Sequence, residues 1–295
     1  MGFQYEVSIR DQIVPAPSGE SLFHAMELIG VRSFEAAVNS AGELVCLGPA
    51  DGGPYSIFDG DSLLSLRNTL DRAGVRIGAL LLATDFSAPD AERHVDWTVR
   101  ATVAAHELRV PVVRIDPLTA DRSLPAARVC ETFVRRTRRA LEQTADTGVD
   151  LGMENHAHLF NDPDILDRIL SALPESRFGL TLDTGNFYWW GHPLSRVYEL
   201  IERYAPRTKH THIKNIAYPE PVRESRREIG HEYKQCCAAA DEGDLDLPKI
   251  VRLLYGGGYR RGLCIEDESL FKHPEADRLE ILRREVQALR GAAAV

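Results

Sequence analysis

Four stretches decide the fold: VDLGMENH (149–156), FGLTLDTGN (178–186), KHTHIKN (209–215) and GLCIEDES (262–269). Each begins as a short apolar run, passes into a polar residue and is followed by a helical pattern. A parallel strand reads this way when helices cover both of its faces. The polar residues at the run ends are Glu154, Asp183, His212 and Glu266. An α/β barrel carries its chemistry on such side chains, at the carboxyl ends of its strands.

Working outward, QYEVSI (4–9), SFEAAV (33–38), VRIGALLLAT (75–84) and VPVVRID (110–116) complete a set of eight strands. AGELVCL (41–47) is expected to extend the second as a hairpin. Helical patterns fill the intervals at about 21–29, 61–73, 90–108, 126–147, 164–173, 193–204, 247–255 and 274–289, with Asp90 a candidate cap. Eight strand–helix units make a (β/α)8 TIM barrel, an α/β fold. No Pro/Gly/Ser linker or low-complexity block divides the chain, so one barrel domain over 1–295 is expected. Glu154 to Asp183 is 29 residues, Asp183 to His212 is again 29, and His212 to Glu266 is 54. The last interval therefore holds a long loop insertion at about 216–243, after the seventh strand. It belongs on the carboxyl face, where it could cover a site.

Side chains alternate along a strand. Thr181 and Asp183 share a face, as do His210, His212 and Lys214, and Cys264 and Glu266. The intervening aliphatics point toward the helices. The four polar residues thus converge on the barrel mouth.

Glu, Asp, His and Glu form an oxygen-rich donor set that suits one divalent ion. Mn2+ is the first expectation, with Mg2+, Co2+ or Zn2+ as alternatives. An ion holding a carbonyl and an adjacent hydroxyl acidifies the neighbouring C–H. Glu154 and Glu266 are placed to exchange that proton as base and acid. Each residue alone has a plainer reading: Asp183 as a helix cap, His212 as a hydrogen-bonded core residue, Glu266 as part of a solvated acidic run. Four such residues with common parity at strand ends argue for the joint reading.

The composition fits: 44% hydrophobic, 27% charged and a formal net charge of −9, which disfavours nucleic-acid and membrane-surface binding. Five cysteines without CxxC spacing read as reduced thiols, and no run has the length of a signal peptide or membrane span. A cytoplasmic protein is the expectation.

At MENH (153–156), LDTGN (182–186), HTHIKN (210–215), EGDLDLPKI (242–250) and GGGYRRGLCIEDE (256–268), the chain resembles the xylose isomerase-like barrel superfamily, the sugar phosphate isomerase/epimerase group. The resemblance implies metal ligands at Glu154, Asp183, His212 and Glu266, with Glu154 and Glu266 the catalytic pair of ketose 3-epimerases. It implies metal-dependent proton transfer on a keto-sugar or related polyol. Dehydratases of the inosose and 3-dehydroshikimate type share the barrel and its ligand set, so a lyase is the alternative. A non-catalytic sugar binder stands behind both. Endonuclease IV-like repair is disfavoured, because the additional zinc-binding histidines are missing. The chain departs from the ketose 3-epimerases at Phe160, where they have a further Glu, and at Asn186, where they have a His.

Substrate contacts are expected from Asn155 and His156, which follow the first ligand, and from Asn186. Lys214 shares parity with His212. Trp190 and His192 follow strand six, and Arg223 in the insertion suits an anionic group. Loop capping, a surface ion pair, a rim plug and a solvated loop are the respective plain readings. The expected partner is a small carbohydrate or cyclic polyol, with a homodimer or homotetramer as the assembly common in the family.

Overall fold

The computed structural model describes residues 2–15 and 20–294. The barrel strands are β1 (Val7–Arg10), β2 (Ser33–Ala37), β3 (Arg76–Leu82), β4 (Val112–Ile115), β5 (Asp150–Glu154), β6 (Phe178–Asp183) and β7 (Thr208–Ile213). After an antiparallel pair, β8 (Asn215–Ile216) with β9 (Cys237–Ala238), the eighth barrel strand is β10 (Leu263–Ile265). The ring closes in the order β1-β10-β7-β6-β5-β4-β3-β2, every neighbour parallel.

The principal outer helices are α1 (Leu22–Ile29), α2 (Gly60–Ala73), α3 (Ala91–Glu107), α4 (Ala126–Gln143) and α5 (Pro163–Ala172). After the short α6 (Thr184–Trp189) come α7 (Leu194–Tyr204) and two single turns, α8 (Glu220–Arg223) and α9 (Tyr233–Cys236). Then follow α10 (Leu247–Gly256) and α11 (Glu275–Ala292). Local chemistry sets their starts: Ser21, Asp59, Asp162 and Asp246 each accept a backbone N–H of the first turn. Asp90 does not. Its backbone (φ −97°, ψ 25°) is not the extended form of a capping residue, and its carboxylate lies 3.5 Å from Arg93 instead.

The expected hairpin at 41–47 reduces to isolated bridges, Val38 with Leu44 and Glu43 with Ser56. The reason is topological. Both edges of β2 are taken by β1 and β3, and Val38 N–H still donates to Leu81 O at 3.0 Å. The hairpin therefore pairs only at its turn, with Asn39 N–H on Glu43 O at 3.0 Å and Val45 N–H on Ala37 O at 2.9 Å.

The first three long helices leave through the same left-handed turn, two of them on glycine. α1 and α2 end in Gly30 (φ +91°) and Gly74 (φ +63°), and the next valine N–H reaches back to Met26 O or Leu70 O. After α3 the same turn is made by Arg109 (φ +59°), with Val110 N–H on Ala105 O at 2.8 Å. A left-handed backbone costs an L-residue about 1–2 kcal/mol.

Apolar side chains fill the space between strands and helices; Phe133, Phe160 and Phe178 form one such cluster. Phe160 therefore sits in that apolar layer. The chain after β7 folds over the carboxyl face. Buried Asp244 pins it, accepting from the Tyr188 hydroxyl (2.9 Å) and Tyr218 N–H (2.8 Å), and the Tyr233 hydroxyl donates to Glu268. Among the described residues, no helix is long and apolar enough to cross a membrane.

Candidate metal and proton-transfer site

Glu154 ends β5, Asp183 ends β6, His212 lies in the last turnings of β7, and Glu266 directly follows β10. All four are at most 2% exposed, and one donor atom from each lies within 4.8 Å of the others. Glu154 Oε2, Asp183 Oδ2, His212 Nδ1 and Glu266 Oε2 have no hydrogen-bond partner. Their contacts are ion pairs alone: Glu154 Oε2 meets Arg114, Asp183 Oδ2 and Glu266 Oε2 meet Lys214, and His212 Nδ1 faces Glu266, so four buried donors converge on one centre without regular hydrogen bonds. Three carboxylates and an imidazole fit a divalent cation.

Asp183 shows that its two readings coexist. Oδ1 accepts from Gly185 and Asn186 N–H, both at 2.8 Å, and caps α6; Oδ2 is left over for the centre. His212 is similarly divided. Its Nε2 lies 2.9 and 3.1 Å from the Glu35 carboxylate, while Nδ1 is 3.1 Å from Glu266 Oε2 and 3.6 Å from Glu154 Oε1. Donation from Nε2–H to Glu35 leaves the Nδ1 lone pair facing the centre. Burial alone would raise the Glu35 carboxyl, but His212 and His210 beside it hold it well below the usual carboxylate range.

Cations surround the set. Arg114, 3% exposed, contacts Glu154 and lies 3.4 Å from Asp116 Oδ2. Arg10 contacts Glu266 and donates to Gln12. Lys214 Nζ is 2.9 Å from Asp183 Oδ2, 3.0 Å from Glu266 Oε2 and 3.3 Å from Glu268 Oε1. Burial opposes its charge, but Asp183 and Glu268 more than offset this and raise its pKa. A Cβ at Gly185 would come within 2.8 Å of Lys214 Cγ, so the lysine stem needs glycine there.

Arg10, Arg114, Lys214, Glu154 and Glu266 line a cavity of about 600 Å3 at the carboxyl mouth, together with Trp97, His94 and Asn39. His156 lies on its wall with Nδ1 2.9 Å from Asp116 Oδ1. Burial would raise the Asp116 carboxyl, but Arg114 and His156 bring it below the ordinary value.

The other expected contacts are placed differently. Asn155 faces the backbone of Asp183, accepting its N–H at 2.7 Å and donating to its carbonyl at 2.9 Å. Asn186 donates to Glu154 Oε1 at 3.0 Å and orients it. Trp190 donates to His158 O, with Arg226 stacked 4.2 Å over its ring. His192 is buried beside them, its pKa pushed down to about 4 by desolvation. Arg223 is held at 3.0 Å by Asp244. The structure does not bring Trp190, His192 or Arg223 to the cavity wall. Conversely, the sequence reading passed over Glu35, Arg10, Arg114, Asp116 and Glu268. The signal for Glu35 and Arg114 was a charged residue inside an apolar strand (SFEAA, VVRI), and Asp116 shares parity with Arg114.

A family model described as xylose isomerase-like TIM barrel matches residues 25–291. No curated protein matches the chain. Among similar solved structures is the IOLI protein with a bound zinc atom, at 14% identity over 96% of this chain and 98% of that one, TM-score 0.71. A xylose isomerase-like TIM barrel protein from Mycobacterium smegmatis in complex with magnesium is similar at 15% identity over 99% and 98%, TM-score 0.71. L-ribulose 3-epimerase is similar at 16% identity over 98% and 95%, TM-score 0.68. At these identities the likeness carries the fold alone.

Proposed function

The chain belongs to the xylose isomerase-like TIM barrel family, and from that premise we propose that it is a divalent-metal-dependent isomerase or epimerase. It moves a proton at the carbon beside the carbonyl of a keto-sugar or related polyol. The observation that carries this reading is the convergence of four buried donors within 4.8 Å of one another, one from each of four strand ends. Glu154, Asp183, His212 and Glu266 would hold the ion, Mn2+ first, whose chemistry when bound is to polarise the carbonyl and acidify its α-proton.

The protein's own groups supply the rest. Glu154 is oriented by Asn186 and Arg114, and Glu266 by Arg10 and Lys214. Two carboxylates held from separate strands can take a proton from one face of a carbon and return it on the other. Lys214, kept cationic, is positioned to hydrogen-bond a substrate oxygen. The cavity volume matches a monosaccharide or cyclic polyol.

A hydro-lyase is the second reading, favoured by Lys214 itself. A cationic donor 3.0 Å from Glu266 could protonate a departing hydroxyl after the same proton abstraction. Incubation of the purified protein with ketoses and cyclic polyol ketones in D2O with Mn2+ tests both. Deuterium beside the carbonyl in a recovered isomer supports the first, and a dehydrated product the second. Failure to take up metal sinks both.

A further inference from the structure

The barrel has a second mouth. At the amino ends of the strands lies a cavity of about 660 Å3 whose lining shares no residue with the catalytic-face cavity. Five arginines line it: Arg67 of α2, Arg76 of β3, Arg109 after α3, and Arg260 and Arg261 before β10. The carboxylates in the wall are Glu6 and Asp71, so this cavity is three charges positive within a chain of net charge −9. Arg76 is paired with Glu6, and Arg261 with Asp150 at 2.6 Å. Arg260 lies over the Tyr255 ring. Arg67 and Arg109 meet no carboxylate among the described residues.

Arg109 is the second, independent observation. It takes the left-handed turn that Gly30 and Gly74 take at the exits of α1 and α2, a conformation that glycine adopts freely and arginine does not. Arg109 lines the cavity. The backbone there favours glycine, so the arginine points to a use for its guanidinium. The volume lies in the range of small-molecule sites, and paired guanidiniums match the planar or tetrahedral oxygens of an anion.

We propose that this amino-terminal mouth binds a small molecule carrying a phosphate or a comparable oxyanion, held by Arg67 and Arg109. His210, 4% exposed, forms the floor, and its Nε2 lies 3.4 Å from Glu35 Oε1. The bound anion would thus sit one imidazole away from the carboxylate that orients His212. The site does not depend on which reaction the opposite face performs.

The test is calorimetric titration of the full chain with inorganic phosphate at low ionic strength, without added metal. Arg109→Gly should melt at or above the temperature of the parent protein, because glycine relieves the turn. Combined with Arg67→Gln, it should weaken phosphate binding by at least about tenfold, the loss of one charge-assisted contact or more. A smaller change would place the anion elsewhere and overturn the proposal. So would the absence of binding to the parent protein up to about 10 mM phosphate.

Discussion

Glu35 of β2 and His212 of β7 meet in the barrel interior, with the carboxylate 2.9 and 3.1 Å from Nε2 and neither residue exposed. This pair fixes which imidazole nitrogen faces the four-donor centre. Glu35→Gln keeps the volume but weakens the acceptor. Metal affinity, read by calorimetry, should fall about 10–100-fold while the barrel stays folded. Unchanged affinity would reduce Glu35 to a buried ion-pair partner.

Asp183 allows its two duties to be separated. Asn can still cap α6 through its side-chain oxygen, whereas Ala cannot. Asp183→Asn should therefore keep nearly all stability in denaturant titrations, and Asp183→Ala should lose about 1 kcal/mol. Both should bind metal at least about tenfold more weakly, since the donor charge is gone. If only the alanine variant loses metal, Oδ2 is not a ligand and the cap is the residue's whole role.

The late half of the barrel was legible because its chemistry lies at strand ends, where a polar residue closes an apolar run and parity tells which way it points. Glu154, Asp183, His212 and Glu266 all meet that description. Glu35 and Arg114 do not. They stand mid-strand, where a charge inside an apolar run hints at burial but does not say which distant residue it meets. Their partners are 177 residues away for Glu35 and on the next strand for Arg114. The hairpin expected at 41–47 forms only at its turn for a related reason: its alternation is real, but the edges of β2 are committed to β1 and β3. Trp190, His192 and Arg223 were drawn toward the site by proximity in sequence. α6 and the chain after β7 turn them onto one another and onto Asp244.

Asp11 gives a stability prediction. It is 1% exposed, accepts from Ala37 N–H at 2.9 Å through Oδ2, and has no partner for Oδ1. Burial pushes its pKa up from 3.8 to about 7. Below 3.8 both states are protonated. Between there and about 7 the unfolded chain releases the proton while the folded one keeps it, so stability falls as pH rises and the loss is complete above that window. Asp11→Asn lacks the charge. Its stability relative to the parent protein should grow with pH, by about 4 kcal/mol at most. Urea titrations at about pH 5 and about pH 8 read the difference. A pH-independent difference would mean that Asp11 ionises freely in the folded state.

Lys214 makes the opposite prediction to Glu35. Its ammonium stands 2.9 and 3.0 Å from Asp183 Oδ2 and Glu266 Oε2, two of the four converging donors, and neutralises them when no ion is bound. A divalent cation must take those oxygens from it. Lys214→Met removes the competitor, so metal should bind about tenfold more tightly even as turnover falls by about 100-fold for want of the cationic donor. Without metal the variant leaves buried carboxylates uncompensated and should be less stable by about 3–5 kcal/mol. Added Mn2+ should then raise its melting temperature by more than it raises the parent's, because the ion restores what the lysine supplied. Metal binding that is weaker in Lys214→Met would show that the ammonium supports the ion instead of standing in for it.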